Sequence, residues 1–150
     1  MNFLIYIGAT VLLILGAFFA YKKLSFFTGK LFWQTAVFII LSLFFGRVLN
    51  IYAIIPFWDK ILHFLSGFIL FSAGEEVFRS LGAAEKKHLI FFSFLFASAS
   101  AGIWEIYEFS LDNLFGFNSQ NASLPDSMLD MIFGNLSAII CAAKKAKCPH

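Results

Sequence analysis

The chain has 150 residues, of which 60% are hydrophobic and 13% charged, with a mean hydropathy of +0.82. Such a balance excludes an ordinary soluble domain and makes the lipid bilayer the solvent. A formal charge of +2, with no basic patch interleaved with stacking aromatics, excludes a nucleic-acid binder, and Cys141 and Cys148 have neither metal-ligand spacing nor a disulfide framework.

Taken in order, the apolar runs predict an all-α, polytopic membrane helix bundle of five transmembrane helices. Residues 2–20 are long enough to span, and they are followed, not preceded, by cations at Tyr21-Lys22-Lys23, which reads as a retained span and not a cleaved signal. The second span covers residues 31–50 and is interrupted late by Gly46-Arg47. Arg47 either snorkels to the headgroups or serves a polar site. Pro56 stands near the start of the third span, with Trp58 at an interfacial depth and Asp59 in the first turn. That span runs to about Gly74, and Glu75-Glu76 are expected to carry it out into water. The fourth span, residues 89–111, contains Ala97-Ser98-Ala99-Ser100-Ala101-Gly102, six small residues that allow close helix approach, so this helix is expected to be central. Residues 112–124 form the longest polar loop. The fifth span starts at Pro125-Asp126, with Ser123 as its expected N-cap, and ends before Lys144-Lys145-Ala146-Lys147. The whole chain, residues 1–150, reads as a single transmembrane domain with core spans over 57–143 and accessory spans over 3–50.

Cation counting orients the bundle. Lys22, Lys23, Lys30, Arg79, Lys86, Lys87, Lys144, Lys145 and Lys147 make nine of the eleven cations, and all fall in alternate connections. The N-terminus is therefore expected outside and the C-terminus inside. Asp59, His63, Glu105, Glu108, Asp112, Asp126 and Asp130 then gather at the extracytoplasmic end of a multi-pass protein of the cell membrane.

These residues carry the candidate chemistry. In Trp104-Glu105-Ile106-Tyr107-Glu108-Phe109-Ser110-Leu111-Asp112 the acids at i, i+3 and i+7 share one helix face. A rise of about 1.5 Å per residue puts His63, Glu105, Glu108 and Asp130 at matched depth on three helices. Uncompensated, four such groups cost on the order of 10 kcal/mol on insertion scales, so a shared partner is expected. Carboxylates with one imidazole suit an oxygen-preferring divalent metal ion, Mg²⁺, Mn²⁺ or Ca²⁺, with Zn²⁺ also possible; the same groups could instead share protons. His63, Glu105, Glu108 and Asp130 are the expected metal ligands, and Glu108 or Asp130 the catalytic base. Asp59, Asp112 and Asp126 form the rim, although Asp59 and Asp126 also suit the positive ends of their own helices. Asn135 is placed to hydrogen-bond a ligand from below, Arg47 to steady a phosphate, and Gly67 to press span three against span four. The function expected is metal-dependent hydrolase or transferase chemistry on a lipid-linked phosphate. The alternatives are a small ion- or proton-coupled transporter and a non-enzymatic membrane module. Beyond the lipid bilayer and that substrate no partner is implied, and oligomeric state stays open.

Three blocks carry a resemblance: Asp59-Lys60-Ile61-Leu62-His63-Phe64-Leu65-Ser66-Gly67-Phe68; Trp104-Glu105-Ile106-Tyr107-Glu108-Phe109 with Asp112; and Asp126-Ser127-Met128-Leu129-Asp130 with Gly134-Asn135. In this order they are similar to the YjdF-type family of uncharacterised bacterial integral membrane proteins, and they more remotely resemble the VanZ-like proteins. Glu108 stands where the VanZ-like pattern has a glutamine. The resemblance implies a multi-pass bacterial membrane protein over roughly residues 57–143 and no particular reaction.

Overall fold

A computed structural model describes residues 2–116 and 123–148. Among these the chain is helical throughout, with no strand: α1 (Asn2–Lys23), α2 (Gly29–Ile39), a π-helical segment (Ile40–Val48), α3 (Ile51–Ile54), α4 (Trp58–Ser80), α5 (Lys86–Phe115) and α6 (Leu124–Lys147). Five stretches are long and apolar enough to cross a membrane, namely Phe3–Lys23, Gly29–Val48, Trp58–Ser80, Lys86–Phe115 and Leu124–Lys147. The polar loop expected at residues 112–124 is shorter than its composition suggests, because α5 continues to Phe115; its middle, residues 117–122, lies outside the described residues.

Helices α4, α5 and α6 pack mutually, and α4 also touches α2, the π segment and α3, whereas among the described residues α5 meets only α4 and α6. The third span is therefore the central one, not the fourth. Only part of the small-residue run faces inward: Ala97 and Ala101 join Leu89, Ser93 and Glu105 in a single buried stripe at four-residue spacing, while Ala99 is exposed. That stripe buries one side of α5 and leaves Ile103, Trp104, Ile106 and Tyr107 exposed toward lipid. Among the described residues, helix α1 touches only α2 and the π segment.

Backbone approach fixes the rotation of the central helix. A Cβ built on Gly67 would collide with Ser137 Oγ and the Gly134 carbonyl of α6. Gly67 thus presses span three against span five, and it is Gly74 that meets span four, with Ser93 Cα 2.9 Å from where its Cβ would stand. In lipid, where apolar side chains gain little from leaving the solvent, such contacts hold helices together by dispersion and by satisfied hydrogen bonds. Phe71, 1% exposed, packs with Ala97 and Ala138 beneath this contact.

At the end opposite the acids, Glu75 does not lead into water: it is buried and forms an ion pair with Lys145 of α6. Lys86, at the start of α5, hydrogen-bonds the Cys148 carbonyl and closes the same end.

The second span departs from the expected α-helix over residues 31–50. It starts as expected from a polar cap, with Thr28 Oγ1 accepting from Leu31 N at 3.4 Å, but from Ile40 its turns widen to π geometry. Asn50 then takes a left-handed backbone (φ 57°), which asparagine tolerates better than most residues, and the chain turns into α3. Ser123 occupies the N-cap position of α6 without a side-chain capping bond, so the expected capping box does not form. Pro125, in the first turn, needs no N–H there.

Candidate functional site

Because Gly67 locks α4 against α6, residues one and two turns earlier on α4 are aimed into the space where α4, α5 and α6 meet. Lys60 is buried there, and His63 faces the same interior with 11% of its side chain exposed. Helix α5 delivers Glu105 at the end of its small-residue stripe, and Glu108 one turn on. Helix α6 delivers Asp130, which is 2% exposed, and Asp126 one turn nearer its start.

The imidazole of His63 is the hub. Its Nδ1 lies 4.0 Å from Glu105 Oε1, and its Nε2 lies 3.8 Å from Asp130 Oδ1 and 4.0 Å from Asp59 Oδ1. One ligand-type atom from each of His63, Glu105 and Glu108 falls within 4.8 Å of the others, and the same holds for Asp59, His63 and Asp130. The four expected ligands thus converge, but as two groups of three that share the histidine and not as one set of four. Separations of 3.8–4.0 Å are too long for hydrogen bonds. They match two ligand atoms held about 2.3–2.6 Å from one calcium-sized ion, and a smaller ion would draw them a few tenths of an ångström closer.

A neutral imidazole has one lone pair and one N–H, so His63 can coordinate on one side only and must donate on the other. Lys60 breaks the symmetry. Its ammonium lies 2.8 and 2.9 Å from the two oxygens of Asp130, 2.5 Å from Asp126 Oδ1 and 3.8 Å from Asp59 Oδ2. Its stem lines an apolar groove of about 370 Å³ with Phe57, Ile61, Phe64 and Phe133. The charged head alone therefore reaches the carboxylates. Cation counting places Lys60 as a flanking charge of the third span; instead it is buried, 8% exposed, and central to the cluster.

The remaining candidates fall around this hub. Asp59 and Asp126 stand at its rim, each in the first turn of its helix, so the cluster and the positive helix ends both draw on them. Asp112, half-buried one turn beyond Glu108, belongs to neither group of three. Asn135 is engaged elsewhere: Ser98 Oγ donates to its Oδ1, and its Nδ2 donates to the Met131 carbonyl at 2.8 Å, which ties α5 to α6. It is a helix-to-helix staple and not the lower wall of the site. Arg47 stacks its guanidinium 4.6 Å over the ring of Tyr52, which packs against the backbone at Gly46.

Tyr52 is a second residue that spacing alone does not find. It lies in α3, between the second and third spans. Burial, together with the negative charges of Asp59, Glu108 and Asp130, pushes its phenol up to about 12 against the pull of Arg47. At neutral pH it is a hydrogen-bond donor facing carboxylates.

A sequence family described as a predicted membrane protein (DUF2238) matches residues 1–148. An uncharacterized protein of Thermotoga maritima is 34% identical over 99 residues, covering 65% of this chain and 52% of that one, so the chain spans about half the length of this curated relative. No solved structure matches.

Proposed function

The chain belongs to this family of predicted membrane proteins, the YjdF-type family, and within it we propose a membrane-embedded divalent-cation site with His63, Glu105 and Glu108 as its ligands. The observation that carries the reading is the two-sided setting of His63. With Lys60 seated on the Asp130 side, we assign the Nε2 proton of His63 to the side of Asp130 and Asp59, 3.8 and 4.0 Å away, and the Nδ1 lone pair to the side of Glu105. A carboxylate that orients a histidine from behind is the usual support of a metal ligand. Asp130 thereby becomes a positioning residue, and the half-buried Glu108 would serve as the base through the carboxylate oxygen that does not hold the ion. We place the site on the extracytoplasmic side, following the cation count.

The reaction class we assign is hydrolysis or transfer at a lipid-linked phosphate. Five carboxylates against one buried ammonium repel an anion, so a phosphate can approach only after a divalent cation has balanced them. Once bound, that cation supplies Lewis-acid activation. The apolar groove along Lys60, Ile61 and Phe133 suits the lipid chain, and Arg47 at the rim suits the phosphate. No VanZ-type activity is carried over, because Glu108 replaces the glutamine of that pattern. A cation transporter is the weaker reading: directly below His63 the backbones of α4 and α6 touch at Gly67 and Gly134, which leaves no passage between them among the described residues.

The test is Mn²⁺ binding by purified protein in detergent. One ion per chain is expected, lost in E105Q/E108Q and weakened about 10- to 100-fold in D130N, which removes the charge behind His63 together with one ion-pair partner of Lys60. Mn²⁺ at 100 times its Kd should stabilise wild type by about 2.7 kcal/mol and leave E105Q/E108Q unmoved. Equal binding by wild type and E105Q/E108Q would remove the site.

A further inference from the structure

A buried lysine held by three carboxylates is itself a cation in a cation site. We propose that Lys60 is a tethered counter-ion that occupies the Asp59–Asp126–Asp130 position and so restricts uptake of a free divalent ion to the other side of His63. The proposal rests on the preceding reading only for the identity of that other side.

Its basis is geometric. The ammonium is within 4.0 Å of Asp59, Asp126 and Asp130, and it contacts both oxygens of Asp130. Asp130 has 3% of its side chain exposed and Lys60 10%, so neither charge is satisfied by bulk water. A free divalent ion at this position would have to displace an ammonium that cannot diffuse away, because it is covalently tethered to a stem that runs along the apolar groove lined by Phe57, Ile61, Phe64 and Phe133. Displacement would also strand a positive charge in an apolar groove, which is costly. An ammonium donates three hydrogen bonds and carries a single charge, so it neutralises this side without closing a metal shell. Asp59, His63 and Asp130 already bring their ligand atoms within 4.8 Å of one another. Removing the ammonium leaves a ready-made position for an ion of comparable size. Lys60 is in this sense the specificity-determining residue: it decides on which side of His63 a metal sits, while the Asp130 carboxylate that it contacts still faces the imidazole at 3.8 Å.

The experiment separates this inference from the proposed function by moving the cation position. Lys60→Met is combined with E105Q/E108Q in the full chain, and Mn²⁺ bound per purified chain is counted by electron paramagnetic resonance. K60M/E105Q/E108Q is expected to bind about one Mn²⁺, and K60R/E105Q/E108Q, which restores the cation, at least tenfold less. Adding Asp59→Asn and Asp130→Asn to the first variant should abolish its uptake. If K60M/E105Q/E108Q binds no more Mn²⁺ than E105Q/E108Q, the tethered counter-ion is refuted, whatever wild type does. If it binds one ion while wild type binds none, the counter-ion stands and the Glu105–Glu108 site falls. Lys60→Gln, which keeps a polar head, replaces Lys60→Met should the latter not purify as a monodisperse species.

Discussion

A lysine in the first turn of an apolar helix can reach outward to the headgroups or inward to acids, and one residue of helix rotation decides between them. Lys60 follows Asp59 directly in sequence, and cation counting sends it outward with the other flanking charges. Gly67, two turns later, sends it inward. His63, Glu105, Glu108 and Asp130 were legible because an ionisable group inside an apolar run stands out and its depth follows from the rise per residue. Lys60 and Tyr52 were not, because their directions depend on a glycine contact and on a left-handed Asn50. Tyr52 makes a testable case at this scale. Its folded-state phenol is raised to about 12, whereas an unfolded tyrosine titrates near 10. The folded state therefore holds the proton more tightly, and the stability this contributes is complete below about pH 10 and lost as pH rises toward about 12. Unfolding measured across that window should show wild type losing more stability than Tyr52→Phe, and parallel curves would show that the phenol is not buried beside the carboxylates.

At the scale of the helices, apolar length revealed five spans and small-residue content revealed which faces pack, but neither revealed which helix is central. The six small residues of α5 drew attention to span four, yet a stripe needs only one partner face. The central position belongs to α4, whose glycines are spread over 67 and 74 and meet a different neighbour at each. The π segment was equally hidden, since Ile40–Val48 reads as ordinary apolar helix and nothing in its residue pattern marks the widened turns. Helix contact gives a direct prediction. Gly67→Ala should destabilise the protein by about 1–3 kcal/mol, because the new methyl must push α4 away from backbone as well as from Ser137 Oγ. Ser137→Ala should relieve only part of that loss, since the Gly134 carbonyl remains. Gly16→Ala, with nothing within 4 Å of its Cβ, is the control and should be neutral to slightly stabilising. Thermal unfolding in one detergent compares the three, and an unaffected Gly67→Ala protein would mean that α4 and α6 do not touch there.

The whole molecule is polarised. One end carries the cluster of Asp59, Glu105, Glu108, Asp126 and Asp130, and the other carries Lys86, Lys87, Lys144, Lys145 and Lys147, with Glu75 paired to Lys145. The two kinds of end do different physical work. Lysines at the ends of spans bias their side toward the cytoplasm, while acids contribute little to orientation. Orientation and site are thus separable in this chain, and orientation can be tested without assuming any metal. With Cys141 and Cys148 replaced by serine, a single cysteine is introduced at Asn113, exposed near the end of α5, or at Ala84, exposed in the turn between α4 and α5. A membrane-impermeant maleimide applied to intact cells should label Asn113→Cys and spare Ala84→Cys until the membrane is opened. In the wild-type background Cys148, exposed at the lysine end, should behave as Ala84→Cys does. The reverse pattern would put the carboxylate cluster in the cytoplasm, where abundant Mg²⁺ and soluble phosphates, not outer-leaflet lipids, would be its natural ligands. The same protein would then keep its cation position while losing the substrate class proposed for it.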